Sequence, residues 1–159
     1  MLNRLLTKKK TVIMKKILFA VVAFLSLGIS VACADNNKVI SKSELPAPAQ
    51  KLLNDYFPGA KLSYAKLERD FLERSYEVVL ADGTRLEFFS NGEWQEVDCK
   101  FAAVPAGIVP EQIMQYVSDN YPGEKVLKIE IDRGNYEVKL SNRLELTFNK
   151  NFNIIDIDD

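Results

Sequence analysis

Histidine is absent from the whole 159-residue chain. That one absence removes Ser-His and Cys-His nucleophilic systems, which need an imidazole base, and most transition-metal sites, which use imidazole ligands. Cysteine is scarce: Cys33 and Cys99 are the two present. Cys33 falls in an N-terminal leader, so once the leader is removed Cys99 has no partner for an internal disulfide. Packing must hold the fold. No glycine-rich loop of phosphate-cradling form occurs, and the carboxylates are spread along strand-like stretches instead of being gathered in one loop. Nothing here points to an enzyme.

Residues 1–34 have the pattern of a secretory signal. Lys15-Lys16 forms a basic start, residues 17–27 form an apolar run broken by Ser26, and Ala32-Cys33-Ala34 has the small-x-small form of a cleavage site. The run is short for a membrane span. Met14 begins a more ordinary signal peptide than Met1 does. Ser30-Val31-Ala32-Cys33 also has the form of a weak lipobox, so lipid anchoring through Cys33 is the alternative to a soluble periplasmic or secreted product cleaved near Ala34. Six of the 21 basic residues and none of the 22 acids lie in the leader, so 15 and 22 remain, a net charge of −7. An acidic chain of this kind lacks the basic face that phosphate backbones require, which excludes nucleic acid as the expected partner.

The remaining chain is written twice. Phe57-Pro58-Gly59-Ala60-Lys61 returns as Tyr121-Pro122-Gly123-Glu124-Lys125, 64 residues on. At the same offset Leu45-Pro46 matches Val109-Pro110, and Ala49, Leu53 and Phe57 match Ile113, Val117 and Tyr121. Tyr76-Glu77-Val78-Val79-Leu80 matches Tyr136-Glu137-Val138-Lys139-Leu140 at an offset of 60. Arg85-Leu86-Glu87-Phe88 aligns with Arg143-Leu144-Glu145-Leu146 at 58, and Trp94, Asp98 and Cys99 then fall on Phe152, Asp156 and Ile157. The two changes of offset place turns at residues 70–73 and 81–84, where length changes are tolerated.

Within each copy the pattern predicts one helix and four strands. Ser43 is the expected cap of the first helix, with Pro46 in its first turn. Ala49, Leu52, Leu53, Tyr56 and Phe57 form its apolar face, and Pro58-Gly59 ends it. Ile113, Tyr116, Val117 and Tyr121 form the second helix face. Strands are expected over 61–69, 76–80, 85–90 and 94–99, then 124–131, 135–140, 143–149 and 152–157, with Asp82-Gly83 and Asn91-Gly92 as hairpin turns. Residues 35–42 read as a flexible tether, 43–100 as the first unit, 101–108 as a linker and 109–159 as the second unit. The fold class is α+β: two tandem repeats, each one helix packed on a four-stranded antiparallel sheet. The helices cover one sheet face and leave the other open and polar.

These motifs resemble the secreted PepSY-like proteins, with their beta-lactamase-inhibitor-like fold. Phe57-Pro58-Gly59-Ala60-Lys61, Tyr76-Glu77-Val78 and Asn91-Gly92-Glu93-Trp94 carry the resemblance, with Tyr121-Pro122-Gly123, Tyr136-Glu137-Val138 and residues 149–152 in the second copy. There Lys150-Asn151 replaces the Gly92-Glu93 turn. The resemblance implies an exported, non-enzymatic domain that binds or inhibits other proteins, an envelope peptidase among them.

Alternation places Tyr64, Glu77, Glu87, Phe89, Glu137 and Glu145 on the open face, where exposed aromatics among charges would anchor a protein or peptide partner. Glu77, Glu87, Glu137 and Glu145 are also the candidate ligands of a calcium ion, which takes several oxygens at once. The bland reading of the same residues is a solvated sheet face on a structural envelope protein. Trp94 and Cys99 read as packing residues, Cys99 as a small buried hydrophobe.

Overall fold

The computed structural model describes residues 37–69 and 74–159. The leader, Cys33 and the expected turn at 70–73 lie outside the described residues. The described residues fall within one compact unit, Asn36–Asp159. Nine strands are described, in a single antiparallel sheet whose spatial order is the chain order: β1 (Lys38–Ile40), β2 (Leu62–Arg69), β3 (Arg74–Leu80), β4 (Arg85–Phe89), β5 (Trp94–Asp98), β6 (Val126–Asp132), β7 (Asn135–Leu140), β8 (Glu145–Phe148) and β9 (Ile154–Asp158). Helix α1 (Ala47–Tyr56) lies between β1 and β2 in sequence, and α2 (Glu111–Asn120) between β5 and β6.

Each helix is fixed by the same local chemistry. Pro46 and Pro110 stand at the N-caps, where a missing N–H costs nothing. Phe57 and Tyr121 close the last turns by donating backbone N–H groups to the Leu53 and Val117 carbonyls. Gly59 and Gly123 then adopt φ of +77° and +90°, a conformation open to glycine. Ser43 does not cap α1. Ser41 caps a short 3-10 turn, Lys42–Glu44, in a capping box with Glu44, and α1 begins three residues later.

The tether expected at 35–42 is corrected as well. Lys38–Ile40 pairs with β2, Ile40 opposite Ala65, because Ile40 has an apolar side chain to bury and does so against the core. Residues 101–108 are likewise more than a linker, since Val104 and Ile108 are buried in the same core.

One core cluster runs the length of the sheet. Ala49 and Leu53 of α1 and Ile113 and Val117 of α2 join inward-facing Val78, Leu86, Phe88, Val97, Ile129, Val138, Leu146 and Phe148. Phe88 and Phe148 are fully buried, and Tyr116 of α2 meets Phe148 edge-on at 5.2 Å between ring centroids. Each such aromatic contributes roughly 1.5–3 kcal/mol by burial.

The strand registers correct the repeat alignment beyond residue 80. Val78 faces Leu86 and Tyr76 faces Phe88; Val138 faces Leu146 and Tyr136 faces Phe148. The offset therefore stays at 60, and no shortening occurs at 81–84. Arg143 takes the place of Gly83 with φ of +79° against +89°, and Phe152 takes the place of Gly92 with +61° against +86°. Thr147 stands where Glu87 does, Glu145 where Arg85 does, Ile154 where Trp94 does and Asp158 where Asp98 does. Cys99 accordingly does not correspond to Ile157. The slip was two residues. A strand repeats every two residues, so the wrong alignment keeps every side chain on its correct face and leaves no trace in the hydrophobic pattern.

Candidate functional site: the open face of the sheet

The face turned away from the helices is organised in rows across the strands. The central row runs Lys66, Glu77, Glu87, Glu96, Glu130, Glu137, Thr147, Asp156, each directly opposite the next. Five successive strands thus present glutamates side by side. At about 4.8 Å per strand the five span roughly 19 Å. The neighbouring row runs Val79, Arg85, Asp98, Lys128, Lys139, Glu145, Asp158.

Like charges directly opposite one another destabilise a sheet, and cations from both rows offset part of this. Lys66 Nζ lies 2.7 Å from Glu68 and 3.4 Å from Glu77. Arg85 lies 2.6 Å from Glu96 and 3.3 Å from Glu87. Lys128 Nζ is 2.7 Å from both Glu96 and Glu130. Glu77 and Glu96 are buried, at 6% and 4% exposure, so their cations are structural requirements: an unpaired buried carboxylate is costly.

Tyr64 is fixed by donating its hydroxyl to Glu77 Oε1 at 2.5 Å, and that bond, with burial, pushes the phenol up from its ordinary value. Burial and the facing Glu96 raise the Glu87 carboxyl. Burial, Glu130 and Asp132 raise Glu137. For Lys128, burial pulls downward, but the hydrogen bonds to Glu130 and Glu96 outweigh it and the ammonium is held above its ordinary range.

The six residues singled out from sequence all lie on this face, but they do not form one cluster. Glu77 and Glu87 are opposite each other. Glu137 lies three strands beyond Glu87 in the same row. Glu145 sits in the neighbouring row, 2.7 Å from Lys139 Nζ. Phe89 is opposite Ser75 while Tyr64 is opposite Val79, so the central row separates the two aromatics. Glu77, Glu87, Glu137 and Glu145 therefore do not converge on a single point. Among the described residues no group of three or more carboxylate or thiol side chains is placed to hold a metal ion.

Sequence reading missed Glu96 and Glu130, which complete the row. The alternation around Val97 and Ile129 puts both on the open face. What the sequence does not display is that β5 pairs with β6, and that pairing joins the two halves of the row.

Cys99 is buried away from this surface, and burial lifts its thiol to about 11. Among the described residues no helix is long and apolar enough to cross a membrane.

The geometry defines a class: an α+β protein with a continuous antiparallel sheet, helices packed on one face and a charged second face that no described helix covers. The chain belongs to the PepSY-like, beta-lactamase-inhibitor-like family, whose model matches residues 74–156. It is similar to a DUF2874-family protein of Bacteroides vulgatus, provisionally described as periplasmic: 48% identity over 79% of this chain and 99% of that one, TM-score 0.77. It is also similar to a protein of Bacteroides thetaiotaomicron provisionally described as calcium-regulated and periplasmic, at 50% identity, 79% and 99% coverage and TM-score 0.76. A third, from Bacteroides vulgatus, provisionally described as periplasmic and of unknown function, is 39% identical over 77% of this chain and 99% of that one, TM-score 0.73. No curated protein matches the chain.

Proposed function

We propose that this is an exported, non-enzymatic binding protein that recognises a protein or peptide on its open sheet face. The observation that carries the reading is the one-sided covering of the sheet: both helices lie in the core cluster, while Tyr64 and Phe89 remain 39% and 36% exposed on the opposite side among charges. Export is supported by the periplasmic descriptions of the relatives and by the leader pattern. We take the chain as a duplication of one helix-plus-four-strand unit, supported by the helix offset of 64 and the hairpin offset of 60; β1 is an added edge strand. The sharpest form of the reading is an inhibitor of an envelope peptidase, supported by the family's inhibitor-like description.

The test is a photo-cross-linking amino acid placed in turn at Glu87 and Glu137 on the sheet face, and at Lys51 and Gln115 on the helices, in cells exporting the protein. Adducts from the sheet positions alone are expected. Adducts from all four positions, or from the helix positions alone, would refute the assignment of the face.

A second reading follows from the relative described as calcium-regulated: calcium would order this face through carboxylates of the set Glu77, Glu87, Glu137 and Glu145, with no one ion taking all four, since Glu77 and Glu137 stand four strands apart. Since Glu77 is held by Tyr64 and Lys66 and Glu145 by Lys139, an ion would have to displace those partners. A ligand specific for the folded state at about 100 times its dissociation constant adds about 2.7 kcal/mol, which raises the melting midpoint by several degrees. A melt unmoved by excess calcium and by subsequent chelation would remove this reading.

A further inference from the structure

Charge is distributed very unevenly over the described residues. The open face carries eleven carboxylates: six in the central row from Glu77 to Asp156, three in the neighbouring row (Asp98, Glu145, Asp158), and Glu68 and Asp132 beyond them. Four cations stand among them, Lys66, Arg85, Lys128 and Lys139, and Lys100 and Arg133 pair with Asp98 and Asp132 at the strand ends, so the face bears a net −5. The rest of the described residues hold eight acids and nine bases, a net +1. Net acidity is therefore a property of the uncovered sheet face and not of the surface in general.

The negative charge is not uniform along that face. On β2 to β5 the carboxylates of the central row are taken up by Lys66, Arg85 and Lys128. On β7 to β9 Lys139 takes Glu145, and Glu137, Asp156 and Asp158 have no cation within ion-pair distance among the described residues. Glu137 and Asp156 lie in one row with Thr147 between them, roughly 10 Å apart by strand spacing. Lys128, Glu137, Lys139 and Glu145 line a shallow depression beside them.

Resting on the recognition reading above, we propose that the partner presents a cationic segment and that this segment seats on the β7–β9 end of the open face, its lysines or arginines meeting Glu137 and Asp156. Charge complementarity selects the occupant: a neutral or acidic segment would leave these carboxylates facing nothing or facing repulsion. Two cations about 10 Å apart on one side are what a helix offers seven residues apart and what a polyproline II segment offers three residues apart. Complementary surface charge acts mainly by speeding encounter and excluding wrong partners, and salt screens it.

The experiment uses the exported protein and a fluorescein-labelled alanine-based peptide carrying lysines at three- and four-residue spacing, read by anisotropy at 50 and 300 mM NaCl. Glu137→Gln with Asp156→Asn should weaken binding at least fivefold at low salt and less than twofold at high salt. The control, Asp55→Asn with Glu111→Gln on the helices, removes the same charge and should change binding less than twofold. Equal losses in both double variants would mean that net charge alone attracts the peptide, and would overturn the proposal. So would an absence of peptide binding by the unaltered protein. A doubling of mass in light scattering at low salt that the peptide does not reverse assigns the face to a second copy and overturns it as well. The two readings separate in the cross-linking experiment: adducts from Glu87 that persist undiminished in the Glu137→Gln, Asp156→Asn variant leave the recognition reading standing and refute the cationic partner.

Discussion

The row of glutamates should cost the fold stability, and the cost can be worked through. Glu87 stands opposite Glu77 on one side and Glu96 on the other, and Glu137 stands opposite Glu130. Replacing both by glutamine removes three like-charge cross-strand pairs, each worth roughly 0.2–1 kcal/mol. Because Glu77, Glu96 and Glu130 already have cations beside them, the lower half of that range applies, about 0.3–0.5 kcal/mol each and about 1–1.5 kcal/mol in all. The change also gives up the Arg85–Glu87 contact at 3.3 Å, about 0.5 kcal/mol for a partly exposed pair. The net expectation is a gain of about 0.5–1 kcal/mol at pH 7, or roughly 2–5 °C in midpoint.

pH supplies the internal control. Both carboxyls are raised above their ordinary value of 4.5 in the fold. The native state therefore takes up these protons more readily than the unfolded chain. Their destabilising effect is present above the raised native values and fades as pH falls toward 4.5. Thermal melts of Glu87→Gln, Glu137→Gln against the unaltered protein should show the gain at pH 7 and its disappearance at pH 4. An equal gain at pH 4 would show that packing and not charge is responsible. A lower midpoint at pH 7 would refute the repulsion argument outright. A gain in stability together with weaker partner binding is what a surface shaped for recognition should show.

Other expectations follow from single contacts. Gly92 has φ of +86°, and a Cβ there would come within 2.5 Å of Pro46 Cβ and 3.1 Å of Pro48 Cδ, so Gly92→Ala should cost about 2–4 kcal/mol in urea unfolding from strain plus overpacking. Gly123→Ala, with no atom within 4 Å of the new methyl, should cost only the conformational part, about 1–2 kcal/mol. Arg85→Met leaves buried Glu96 with Lys128 alone and should destabilise by about 1–2 kcal/mol, less than a fully buried broken pair because Arg85 is itself 36% exposed and one cation remains; an unchanged midpoint at pH 7 would refute the role assigned to it. Cys99, buried and raised to about 11, should react with a thiol reagent at neutral pH only after unfolding.

Much of this protein was legible in its sequence because the responsible physics is local. Proline at 46 and 110 and glycine at 59 and 123 bracket two helices through backbone geometry that each residue imposes on itself. Alternation of Tyr76, Val78 and Leu80 with Glu77 and Val79 assigned faces correctly, since a strand repeats every two residues whatever it pairs with. The absence of histidine likewise required no coordinates. Register was not local. Arg143-Leu144-Glu145-Leu146 copies the letters of Arg85-Leu86-Glu87-Phe88, and only the pairing of Val138 with Leu146 shows that Thr147 and not Glu145 lies in the central row. The fate of Lys38–Ile40 depended on a partner some 25 residues away in β2. The acidic row itself came from tertiary structure alone: it exists because β5 pairs with β6 and brings Glu96 opposite Glu130. Sequence determines which face a side chain takes; hydrogen bonding between strands distant along the chain decides which side chains on that face become neighbours, and so where the uncompensated charge lies.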